Sequence, residues 1–111
     1  MVKKRKLPVR WDLNAKENLD RIYDFIALDS LTAARYVKTE LVKLAGSLND
    51  FPEKFPKEEL LSDMEENYRF VSLWSYKIIF EVASDSIIIV AIFHTSQNPE
   101  KIRRVKGKSS G

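Results

Sequence analysis

The sequence predicts an α+β domain of order β-α-α-β-β-β, a helix hairpin packed on a small antiparallel-rich sheet. Three observations carry this. Two helical stripes follow one another with only a residue or two between them, so the helices must fold back as an antiparallel pair. Three strand-like runs crowd the second half of the chain. The last of these, Ile87 to Phe93, is apolar on both faces, and a strand wet on neither face belongs inside a sheet.

Each element has its own signals. A short strand is expected over Lys6 to Trp11, with Pro8 marking a sheet edge or strand start. Asn14 then reads as a helix N-cap, with Glu17 three residues on completing a capping box. Behind it Ala15, Leu19, Ile22, Tyr23 and Ile26 fall at helical spacing, while Lys16, Asp20, Arg21 and Asp24 face away. This helix should end near Leu28 or Asp29. Ser30 caps a second helix with the stripe Ala33, Ala34, Val37, Leu41, Leu44, Leu48 and Phe51, which Pro52 stops. Residues 52–67 hold two prolines and six acids and read as a surface loop with a helical turn near Leu60.

Strands are expected over Tyr68–Trp74, Tyr76–Ala83 and Ser86–His94, with Asp85 at a tight turn. In the middle run Tyr76, Ile78, Phe80 and Val82 share one face; Lys77, Ile79, Glu81 and Ala83 share the other. The doubly apolar last strand then lies between its predecessor and the N-terminal strand.

The 111 residues suit a single domain with one core. The absence of cysteine excludes disulfides and thiolate metal sites, and a cytoplasmic setting is expected. No apolar run is long enough to span a bilayer, so no membrane partner is expected. The formal charge of +3 hides an uneven distribution. Residues 1–10 carry Lys3, Lys4, Arg5, Lys6 and Arg10 with no acid, and residues 100–111 carry Lys101, Arg103, Arg104, Lys106 and Lys108 against Glu100. The stretch between holds 9 bases and 15 acids. Basic ends of this kind, expected to be flexible over 1–5 and 103–111, attract polyanions by releasing counterions.

With one histidine and no HExxH, phosphate loop or nucleophile elbow, no metal or cofactor is implied. What remains is a set on and after the sheet. Arg69, Lys77 and His94 are the candidate catalytic residues, and Gln97, Lys101, Arg103 and Arg104 are candidates for RNA binding. Cations there hold a phosphodiester and stabilise charge building on it, while an imidazole moves the proton of a ribose hydroxyl. The plain alternative is that Arg69 and Lys77 snorkel to water and His94 caps the core.

The combination "AKENLDRIYDFIALDSLTAARYV", "LNDFPEKFP" and "YRF…YKIIFEV…IIIVAIFHTSQNPEKI" resembles the RelE/ParE superfamily of plasmid-stabilisation toxins from type II toxin–antitoxin modules. The resemblance runs from about Arg10 to about Ile102. It implies a compact toxin wrapped and neutralised by a cognate antitoxin in a hetero-oligomer that represses its own promoter. RelE-like members cut mRNA on the ribosome; ParE-like members poison DNA gyrase without being nucleases. One fold hosts both, so the site must decide.

Residue by residue, Arg69 matches the strand arginine of many relatives and His94 the common last-strand histidine. Lys77 stands where an arginine is frequent, and Gln97 lies where many relatives show an arginine. No aromatic follows Phe93. The expectation carried forward is ribosome-dependent mRNA cleavage, with gyrase inhibition as the rival and a degenerate toxin that only binds its antitoxin as the third reading.

Overall fold

A computed structural model describes residues 6–97 and 99–103. Its elements are β1 (Val9–Trp11), α1 (Leu13–Ala27), α2 (Leu31–Gly46), 3-10 turns at Pro52–Lys54 and Glu59–Leu61, then β2 (Tyr68–Leu73), β3 (Tyr76–Val82) and β4 (Ile87–His94). A last helical turn covers 100–103. The sheet order is β1-β4-β3-β2, with β1 parallel to β4 and the other pairs antiparallel. The apolar β4 therefore sits inside the sheet, as its composition requires. No helix among the described residues is long and apolar enough to cross a membrane.

Several local expectations change. The first helix is capped by Asp12, whose carboxylate accepts from the Ala15 N–H at 3.0 Å, and not by Asn14 with Glu17. Asn14 is drawn to a different task. β1 ends at Trp11, leaving the far half of β4 without a strand on that side. The β3–β4 register also slips, because Ile79 faces Ala91 while Phe80 faces Ile89, so Val90 is an extra residue. The Asn14 amide donates to the Val90 carbonyl at 3.0 Å, and Asn18, one turn on, accepts from the Ile92 N–H at 3.0 Å. Two helix side chains thus replace the missing strand along this edge.

Lys6 to Pro8 lie outside β1, although the Pro8 carbonyl still accepts from the Ile87 N–H at 2.9 Å. Ser30 does cap α2, accepting from the Ala33 N–H at 3.1 Å. That helix closes at Gly46, before Leu48 and Phe51. Leu48 stays buried, whereas Phe51 is exposed in a left-handed conformation (φ 54°), and Pro52 opens a 3-10 turn.

The sheet has two covered faces. On one, Ala15, Leu19, Leu41 and Ala45 of the hairpin meet Ile78, Phe80, Ile87, Ile89 and Ile92. Burying one such large side chain contributes about 1.5–3 kcal/mol. On the other, Ile79, Val90, Ala91 and Tyr68 lie beneath Leu61 and Ile102. The 52–67 segment is therefore a covering strap and not merely a surface loop. Its backbone docks on the sheet edge: Glu58 N–H donates to the Tyr68 carbonyl at 2.9 Å, and Phe70 N–H to that of Pro56 at 3.1 Å.

A two-residue turn, Trp74–Ser75, joins β2 to β3, with Leu73 paired to Tyr76. Trp74 has φ 52°. Hairpin turns with a positive φ at the first position favour glycine there, and a bulky residue held so costs about 1–3 kcal/mol.

Candidate functional site

β4 delivers His94 to the end of the sheet, and β3 delivers Lys77 beside it. With Gln97 of the following loop they border a cleft of about 260 Å³ whose apolar wall includes Leu60 and Ile102. The structure thus brings together three of the residues read from the sequence. Arg69 is elsewhere. It pairs across the strands with Phe80, on the face packed by the helices, whereas Lys77 pairs with Phe93 on the other face. No shared phosphate clamp joins Arg69 to Lys77.

Each described cation of this group except Lys101 has an internal partner. The Arg69 guanidinium donates to the backbone carbonyls of Phe55 (2.6 Å) and Glu53 (3.2 Å), fastening the strap where Phe55 meets Phe80 edge-on. Lys77 Nζ lies 2.5 Å from Glu58 Oε1 and 4.2 Å from the centre of the Phe70 ring. Glu58 is only 2% exposed, and its other oxygen accepts from the Leu60 N–H at 3.0 Å, capping the second 3-10 turn. A buried carboxylate needs such a counter-charge.

Arg103 forks onto Asp63, at 2.9 and 3.3 Å, and donates to the Leu60 carbonyl at 2.8 Å. That fork, together with a backbone hydrogen bond, holds the Asp63 carboxyl below its ordinary pKa, and the same contact raises that of Arg103. Arg103 is therefore docked, contrary to the expectation of a flexible end from 103 onward. Lys101 is exposed. Arg104, with the rest of 104–111 and with 1–5, lies outside the described residues.

His94 is held by its own loop. Its backbone N–H donates to Gln97 Oε1 at 2.8 Å, and the Gln97 N–H returns to the His94 carbonyl at 2.9 Å. The Ser96 N–H donates to Nδ1 at 3.1 Å, and the Ser96 hydroxyl lies 2.7 Å from the same nitrogen. Ser96 therefore engages Nδ1 through both its backbone and its hydroxyl, which fixes the orientation of the ring. The ring meets Tyr76 edge-on at 5.4 Å, and burial raises the Tyr76 phenol above its ordinary pKa, keeping it neutral. Chemically the cleft offers hydrogen-bond donors and an apolar wall, without an uncommitted cation among the residues that border it.

The model of the ParE toxin of type II toxin–antitoxin systems, parDE, matches residues 9–99. The chain belongs to the ParE toxin family. Among solved structures, a chain of the chromosomal ParDE toxin–antitoxin system from P. aeruginosa is similar, with TM-score 0.66 at 22% identity, covering 80% of this toxin and 96% of that chain. That likeness is one of fold. No curated protein matches.

The residues that sequence reasoning missed in this toxin are the acceptors. Glu58 and Asp63 stand in a run of acids that reads as a solvated face, and Ser96 is an ordinary loop serine. The only hint was Glu58 preceding Leu60 and Leu61, apolar residues without purpose on a bare loop.

Proposed function

We propose that this ParE-family toxin arrests growth by non-enzymatic inhibition of DNA gyrase, and that a cognate antitoxin neutralises it in the cytoplasm. The observation that carries this reading is the commitment of Arg69, Lys77 and Arg103 to internal acceptors. Phosphodiester cleavage needs preorganised cations aimed at the developing charge. Releasing Lys77 for that purpose strands the buried Glu58 carboxylate. In this reading Arg69, Lys77 and Arg103 are structural, His94 and Gln97 order the loop after β4, and any contact by Lys101 and Arg104 is electrostatic.

The second reading, ribosome-dependent mRNA cleavage, draws on one observation: Lys77, His94 and Gln97 do border one cleft. The two readings separate cleanly. Purified toxin is added to gyrase with relaxed plasmid, and separately to translating ribosomes whose mRNA ends are mapped. Loss of supercoiling or trapped gyrase–DNA breaks, with intact mRNA, is expected. Codon-phased mRNA ends with normal supercoiling would overturn the proposal. His94→Ala is expected to leave gyrase inhibition within about twofold of wild type.

A further inference from the structure

We infer that the cleft between the end of the sheet and the 100–103 turn is a binding site for small uncharged carbonyl compounds with an apolar body, such as aryl ketones and esters. The class follows from what the lining leaves open. The wall is apolar, with Leu60 and Ile102 from the covering segments, Phe93 from β4 and Pro99 from the loop between. Water held against such a wall is displaced favourably by an apolar group. Acceptors at the border are already engaged. The Leu60 carbonyl takes Arg103 at 2.8 Å, the His94 carbonyl takes the Gln97 N–H at 2.9 Å, and the Pro99 carbonyl takes the Ile102 N–H at 3.0 Å. The Glu58 carboxylate behind Lys77 is closed to solvent.

Donors remain. Gln97 turns its Oε1 to the His94 N–H, so its carboxamide has only the N–H pair left for a ligand. The Lys77 ammonium carries three N–H bonds, its side chain is 23% exposed, and Glu58 does not use all of them. The Thr95 hydroxyl, also at the border, serves either way. Glu58 balances the charge of Lys77, so a phosphate finds no net attraction and must compete with a buried carboxylate for one ammonium. Amines bring donors where donors already stand. A carbonyl oxygen on an apolar body satisfies both the donors and the wall. At about 260 Å³ the cleft lies just below the size of drug-sized pockets and suits a single substituted ring. Such a ligand touches Leu60 of the strap and Ile102 of the turn together, and so braces the cover over Ile79 and Val90. The site stands apart from the gyrase reading, because neither its ligand class nor its test depends on the toxin's target.

Isotope-labelled full-length toxin is titrated with acetophenone, with α-methylbenzylamine, which replaces the acceptor by a donor on the same skeleton, and with phenyl phosphate. Acetophenone is expected to shift the Gln97 side-chain amide and the Ile102 backbone amide saturably, with half-saturation on the order of 1 mM. It should also slow amide exchange at Ile102. The amine and the phosphate are expected to bind about fivefold more weakly or worse. Gln97→Glu keeps an oxygen for the His94 N–H but removes the donor, so acetophenone should weaken about fivefold while the amine gains. Leu60→Trp, at a half-open position, should fill the cleft and abolish binding. Shifts that do not saturate, or that scatter away from the cleft, overturn the inference. So does an amine or phosphate that binds as tightly as the ketone; tight phosphate would in addition count against the commitment of Lys77 on which the gyrase reading draws. Should Gln97→Glu lose its fold, Leu60→Trp reads the cleft by itself, and unchanged binding there overturns the inference as well.

Discussion

The two faces of the sheet are covered by different physics. One is closed by regular helices that present Ala15, Leu19, Leu41 and Ala45 to Ile78, Phe80 and Ile89, a contact built mainly from apolar burial, with Asn14 and Asn18 bonded to the edge of β4. The other is closed by the irregular strap around Glu58–Asp63 and by the turn at 100–103, with Leu61 and Ile102 as the apolar contribution. Here the fastening is ionic: Lys77 to Glu58 within, Arg103 to Asp63 at the rim. Burial does most of the holding for an element that can offer a long stripe. An element that offers one or two side chains needs directional bonds to fix where it lies.

That contrast predicts unequal consequences. Phe80→Ala empties the centre of the helix-covered face, where the ring is fully buried against Phe55. A loss of about 3–5 kcal/mol in denaturant unfolding is expected. A loss below about 1 kcal/mol would mean that this face is not the main core. On the strap side, Lys77→Met leaves the Glu58 carboxylate buried without its partner. The expected cost is about 2–3 kcal/mol, less than for a fully buried pair because the Lys77 side chain is 23% exposed. Adding Glu58→Gln removes the stranded charge and is expected to recover most of that cost. If the double variant is no better than Lys77→Met, the pair is not what holds the strap.

The same contrast explains what could be read from the chain. The hairpin, the three consecutive strands and the interior place of β4 are local patterns with periods of 3.6 and 2, and all are legible in residues such as Leu19, Leu41 and Ile87–Phe93. The capping signature at Asn14 misleads because it is local, whereas the Asn14 amide serves a bulge at Val90 that exists only once β3 and β4 have paired. The cations were legible as cations. Their partners were not, since Glu58 meets Lys77 and Asp63 meets Arg103 only through the folded chain. Nothing in the spacing of Arg69 tells that its guanidinium is spent on the carbonyls of Glu53 and Phe55. Candidate catalytic residues are thus the feature for which a sequence pattern is weakest, because the same residue types fasten irregular segments.

The smallest effect belongs to the rim. The Asp63–Arg103 fork is open to solvent, and the folded-state pKa of Asp63 is depressed, first by the hydrogen bond from Arg103. A group depressed on folding contributes its stability above the unfolded pKa, about 3.9 for an aspartate, and loses it as pH falls through the lower folded value. Acid is therefore expected to loosen the 100–103 turn, and with it the cover that Ile102 gives to Ile79 and Val90, before the helix-covered face responds. Amide exchange followed downward from pH 5 should show faster opening at Ile102 and Met64, whose N–H groups bond within these turns, while Phe80 stays protected. Asp63→Asn should abolish that pH dependence at constant global stability. Equal acid sensitivity on both faces would show that the fork fastens nothing, and that Leu61 and Ile102 hold the strap by burial after all.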